Sequence, residues 1–176
     1  MSSARRRGQD GEPHGLQAAP EGMKGTKDGF EVAVRLSNPL DRAVHYIADV
    51  RGLIFDPATK RLRVLMSDQG FELVPGAVAV EPRFASVDPQ SEAVATIGLP
   101  KTIVKLAETP SPPGDVLFEE HAIADAEAVD VEIGWADTPY YVDPREKSRG
   151  AAPVSAWEQH TVHVTVTPPG ATKKRS

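Results

Sequence analysis

Hydrophobic residues fall on every second position through much of this chain. Val129, Val131, Ile133 and Trp135 alternate with Asp130 and Glu132. A period of two places the four apolar side chains on one face of a strand and the carboxylates on the other. That is the pattern of a strand with one face on a core and one in water. The same beat runs through Phe30, Val32, Val34 and Leu36, through Val44, Tyr46, Ala48 and Val50, and through Leu62, Val64 and Met66. It returns in His160, Val162, Val164 and Val166. Leu53-Ile54-Phe55 is apolar on both faces, as a central strand would be.

Punctuation between these runs has a mechanism. Asn38-Pro39 stops the first strand, because proline cannot donate to a ladder and restricts the residue before it. Gly52 predicts a bulge or bend. Asp56-Pro57-Ala58-Thr59-Lys60 predicts a turn, with aspartate bonding ahead to the backbone and proline presetting φ. Residues 53–67 therefore read as a β-hairpin. Phe71-Glu72-Leu73 and Val78-Ala79-Val80 read as short edge strands around the Pro and Gly at 75 and 76. Residues 107–115 read as a stiff, proline-rich extended loop, and a strand restarts at 116–118. One short helical turn is expected within 121–128, where Ala and Glu favour helix. Pro168-Pro169-Gly170 ends the last strand.

Eight or nine strands, few helix signals and turns every 8–12 residues predict an all-β fold, an antiparallel two-sheet sandwich. Arg83–Val87 and Ala93–Leu99, flanking the turn Asp88-Pro89-Gln90-Ser91 and closing on Leu99-Pro100, carry a resemblance. This stretch of about 20 residues resembles the middle of bacterial immunoglobulin-like and fibronectin-III-like sandwiches. Residues 125–131 resemble the corner before strand F of immunoglobulin domains, although Val129 and Val131 stand where antibody-type domains carry Tyr and Cys. The resemblance implies the wider sandwich architecture and carries no catalytic residues over.

Composition sets the ends. Residues 1–28 are rich in Gly, Pro, Ser, Gln and charge, and are expected to form a disordered tail. The sandwich is expected over 29–167, with a basic disordered tail over 168–176. No apolar run approaches the roughly 18–20 residues of a membrane-spanning helix. Arg5-Arg6-Arg7 lacks a following apolar stretch, so no secretory signal is read, and the cytoplasm is expected by elimination. The chain holds 20 basic and 25 acidic residues. Residues 1–27 take five and three of them, and residues 168–176 take three and none. The 12 basic and 22 acidic side chains left in the body make it a poor binder of nucleic acid.

Chemistry is sparse. With no cysteine, disulfides, thiolate metal sites and cysteine nucleophiles are excluded. His160 and His163 stand an odd offset apart on a strand and so face opposite ways, which prevents a shared metal. Glu119, Glu120, His121, Asp125 and Glu127 form an acidic cluster without the shaped loop a calcium ion needs, and read as a solvated face. No nucleophile elbow, phosphate loop or H-E-x-x-H occurs. No metal, cofactor or catalytic residue is expected.

The connection 136–157 is long for two flanking strands, and loops of that length are uncommon unless they serve a function or lack order. It holds Tyr140, Tyr141, Asp143, Arg145, Lys147, Arg149 and Trp157. Tyr and Arg are favoured in protein contacts. The leading expectation is therefore a non-catalytic protein-binding or accessory module docking another protein through these seven residues. One alternative is a carbohydrate-binding sandwich with Tyr140, Tyr141 and Trp157 as a stacking platform. Another is a structural subunit forming homo-oligomers by edge pairing through 71–80.

Overall fold

The computed structural model describes residues 15–67, 82–106, 117–141, 145, 150–153 and 158–171. These residues form strands and one three-residue 3-10 turn, with no α-helix among them. Several sheets result and none closes into a barrel. No helix of the described residues is long and apolar enough to cross a membrane.

The first sheet has the order β1-β2-β7, all antiparallel, from β1 (Gln17–Gly25), β2 (Gly29–Asn38) and β7 (Ser91–Pro100). Val32 opposes Ile97 and Leu36 opposes Ala93, so the apolar face of β2 meets that of β7 in register. The expectation of a tail through residue 28 fails here. Leu16 is buried in the core, and β1 pairs with β2 along most of its length. The sequence concealed this because β1 is held mainly by its backbone ladder and by Arg35–Glu21 and Lys24–Glu31 ion pairs, with little apolar burial. Residues 1–14 and 172–176 lie outside the described residues.

The second sheet is built around β10 (Ala128–Ala136). Along one edge, Val129–Trp135 pair antiparallel with β13 (His160–Val166). Two strands share the other edge. β5 (Arg61–Met66) pairs with 128–133 in parallel, and β3 (Val44–Ile47) takes over antiparallel at 135–136. Gly134 lies at the hand-over, where a side chain would run into Gln159 and the Ser67 backbone. β4 (Gly52–Asp56) extends β5, and β6 (Phe84–Val87) extends β3. The sheet is therefore mixed, where a purely antiparallel arrangement was expected. A long stretch of chain separates β5 from β10, which leaves room for the crossover that parallel neighbours require.

Val129, Val131, Ile133 and Trp135 are all buried, and their cluster includes Val32, Val34 and Leu36 of β2 and Ile97 and Leu99 of β7. One core thus draws on the inner faces of both sheets. On the outer face, Asp130 accepts from Arg61 Nε at 2.8 Å, Nη2 at 2.6 Å, and Thr165 Oγ1 at 2.6 Å. Arg61 and its neighbours hold the Asp130 carboxyl below the usual carboxylate range.

The hairpin expected at 53–67 is present as β4–β5. Asp56 Oδ1 accepts from the Ala58 N–H at 2.9 Å and Oδ2 from the Thr59 hydroxyl at 2.7 Å. The turn ends with Lys60 at φ 52°, and the expected short helical turn is Ile123–Asp125. The 88–90 turn passes the chain from β6 in one sheet to β7 in the other. Asn38 braces that crossing: its Nδ2 donates to the carbonyls of Arg42, Val87 and Asp88 at 2.8–3.1 Å, and its Oδ1 accepts from Leu40 N–H at 3.0 Å. Two small pairs complete the structure, β8 (Thr102–Leu106) with β9 (Phe118–Ala122), and β11 (Tyr140–Tyr141) with β12 (Ala152–Pro153). The expected edge strands at 71–80 and the proline-rich loop at 107–115 lie outside the described residues.

Candidate functional site

Strand alternation on β3 and β6 sets up a second apolar surface behind the core. Val44, Tyr46 and Val87 point inward to the main cluster. The intervening residues His45, Ile47, Phe84 and Ser86 face the other way, with His45 opposite Ser86 and Ile47 opposite Phe84. An outward isoleucine on a bare sheet would be wet. Ile47 is nevertheless 0% exposed and Ala136 3%. The chain leaving β10 folds back over them, and Phe84, Tyr140 and Ala152 close the cluster.

Several contacts fix this cover. At its start, Asp137 accepts from Arg42 at 2.7 Å (Nε) and 2.6 Å (Nη2), and this bond holds the guanidinium pKa above its ordinary value. Next, the Tyr140 ring stacks on Phe84, with centroids 3.6 Å apart and planes at 27°. The same ring meets His45 edge-on at 6.1 Å and 81°. Finally, Tyr140 and Tyr141 pair in parallel with Ala152 and Pro153, and Ala152 N–H donates to Pro139 O at 2.9 Å. Tyr141 and Pro153 therefore stand side by side at the two ends of this part of the connection. Burial pushes the Tyr140 phenol pKa up and the His45 imidazole pKa down. His45 Nδ1 lies 3.2 Å from Ser86 Oγ.

Of the seven residues expected to bind a partner, Tyr140 is packed against the body and Arg145 is exposed. Tyr141 takes part in the short parallel pair through its backbone. Asp143, Lys147, Arg149 and Trp157 lie outside the described residues. Phe84 and Ile47 are the members of this region that sequence reasoning missed. Phe84 was placed in a strand, but a period-two pattern does not say which outward residues a later loop will cover.

No protein-family model, no curated protein sequence and no solved structure matches the chain.

Part of the acidic cluster is paired. Glu119 lies 3.7 Å from Lys105 and 3.5 Å from His121, and Glu127 lies 3.2 Å from Lys60. Among the described residues, no group of three or more His, Asp or Glu side chains is placed to hold a metal ion. His160 contacts the Trp135 ring at 4.9 Å on the inner face, while His163 Nδ1 lies 3.8 Å from Glu132 on the outer face. The two histidines point away from each other, as their spacing predicted.

Proposed function

We propose that this chain is a non-catalytic binding module of immunoglobulin-like sandwich design that docks another protein through the 136–157 connection. The strand order β1-β2-β7 and the neighbours β6-β3-β10-β13 support the sandwich reading, with the β4–β5 hairpin as an insertion along the β10 edge. The observation that carries the function is the anchored cover. Ring stacking, an ion pair and a short strand pair hold both ends of 142–151 against the sheet. A segment bearing Arg145, Lys147 and Arg149 is thereby presented from a body rich in carboxylates. Loops positioned by a rigid scaffold are where binding residues concentrate. Basic side chains there suit a partner with an acidic surface, and long-range charge would speed the encounter.

The stacking of Tyr140 on Phe84 counts against a sugar platform, because that ring face is already taken. Edge pairing keeps one observation in its favour. β7 runs for ten residues and pairs with β2 alone among the described residues.

Affinity capture with the wild-type chain and with the charge-reversed variant R145E/K147E/R149E tests the docking reading. The partner should be lost on charge reversal and retained when Arg145 and Arg149 become Lys and Lys147 becomes Arg. Equal capture by all three baits ends the reading. A mass in solution of twice the chain would favour edge pairing instead.

A further inference from the structure

Near the Ala128 end of β10, with the cover at its Ala136 end, a cleft of about 950 Å³ opens between the β4–β5 hairpin, β9, the 3-10 turn and the chain leaving β13. Two tilted rings form its floor: the Phe55 ring and the His121 imidazole lie 5.2 Å apart with planes at 35°. His121 Nε2 is buried and makes no hydrogen bond among the described residues. The nearest carboxylate oxygen, Glu119 Oε2, stands 3.5 Å off without forming one. The rim is charged. Asp125 is exposed and makes no ion pair among the described residues, while Glu127 is matched only by Lys60 at 3.2 Å. Two carboxylates against one ammonium leave a net negative mouth over an aromatic floor. Cations with long apolar stems suit both parts, since the stem lies along the rings and the charge reaches the rim.

Where the chain runs next decides the occupant. Ala171 is itself part of the wall, and Thr172-Lys173-Lys174-Arg175 follow it directly. Four extended residues reach ~13–14 Å, enough to cross a cleft of this volume. We propose that the cleft is a seat for a short lysine- and arginine-bearing segment, and that the segment it holds is this chain's own Lys173-Lys174-Arg175, entering from Ala171. The ammonium and guanidinium groups sit against Asp125 and Glu127. A backbone group of the segment bonds His121 Nε2. A foreign basic peptide then has to displace the resident segment, which makes the cleft a conditional binding site, separate from the 136–157 connection.

The chain lacks cysteine, so Ser176→Cys gives a single attachment point for a spin label on the otherwise intact protein. The backbone amide signals of Phe55, His121, Asp125 and Glu127 should lose most of their intensity when the label is active and recover when it is reduced. The loss should be several-fold shallower in D125N/E127Q and in K173S/K174S/R175S, each carrying the same label, and should weaken in about 1 M salt, where the screening length is ~3 Å. Broadening at another face, or none, overturns the proposal. So does broadening at the cleft that is as deep in both charge variants as in the wild type. Mixing labelled, isotopically silent chain with unlabelled, isotope-enriched chain separates the sources: broadening in that mixture means that a second copy supplies the segment, and overturns the assignment to the chain's own.

Discussion

The inner face of β10 and the cover over β3 and β6 both bury apolar side chains, yet they are held in different ways. Each residue of β10 from 129 to 133 has a ladder partner on both edges, and its inward side chain meets the opposite sheet. Among the described residues, the cover is held by a two-residue strand pair, the contacts of the Tyr140 ring and an exposed ion pair. Removing a β10 contact disturbs neighbours on three sides. Removing a cover contact exposes only Ile47, Ala136 and their immediate surroundings. Local opening is cheapest where buried contacts and protected backbone bonds are fewest, so the cover should open without unfolding the core. The conformation of the cover can then change at constant fold.

The sharpest way to break the comparison is to damage β10. Val131, opposite Val164 on one edge and Val64 on the other, is 1% exposed. Val131→Asp buries a carboxylate with no partner, costing several kcal/mol out of a typical total of ~5–15. Urea unfolding should show no cooperative transition. A variant melting within a degree or two of wild type would remove β10 from its central place.

Asn38→Ala is next in size. It strips three backbone carbonyls and one N–H of their shared partner at the crossing between sheets. Buried groups left unpaired cost ~1–3 kcal/mol each where water cannot replace the bond. A loss of about 2–4 kcal/mol in urea unfolding is expected. Asn38→Asp, which keeps the acceptor for Leu40 and loses the donor, should be no better. A change below ~0.5 kcal/mol would show that water substitutes for the amide.

This residue marks the limit of what the sequence disclosed. The strands of the core were legible because burial on one face writes a period of two into Val129–Trp135 and Phe30–Leu36. The 56–60 turn was legible because aspartate and proline act locally. Asn38 was readable as a strand stop, but two of its three carbonyl partners come from residues 87 and 88, and a single sequence carries no signal for such distant contacts. β1 was hidden for a related reason: backbone pairing is indifferent to side chains, so an edge strand of Gly, Pro and Ala resembles a tail. Within the candidate site, the length of the 136–157 connection was legible. That Tyr140 packs on Phe84, a residue more than fifty positions earlier, was not.

Damage to the cover should be milder and confined. Tyr140→Ala removes the stack on Phe84, worth ~0.5–1.5 kcal/mol beyond the area buried. A loss of about 1–2 kcal/mol is expected, a few degrees in Tm for a domain of this size. Amide hydrogen exchange gives the sharper reading. The Ile47 and Ala136 amides should exchange faster, while Val131 and Ile133 should be unchanged. Equal acceleration at Val131 would mean that cover and core open together and that the distinction between them is wrong.

The smallest effect concerns pH and separates the two regions most finely. His45 sits under the cover, with Ser86 Oγ 3.2 Å from its Nδ1 and the Tyr140 ring against its face. Burial lowers its pKa below the ordinary value of 6.5. The folded state therefore favours the neutral imidazole, and the unfolded or uncovered state binds the proton more readily. The stabilisation is fully present above the exposed imidazole's ordinary pKa of about 6.5 and declines as pH falls through that value toward the lower folded pKa. Exchange at Ile47 should thus show more frequent opening at about pH 5.5 than at about pH 7.5, after correction for the intrinsic pH dependence of exchange. His45→Gln should flatten this dependence, because glutamine has no proton to take up. Tyr140→Ala should also flatten it, since water admitted to the imidazole restores an ordinary pKa before protonation can open anything. The core amides of β10 should follow neither change. A pH dependence at Ile47 that persists in His45→Gln would assign the titration to another group and leave the cover held by packing alone.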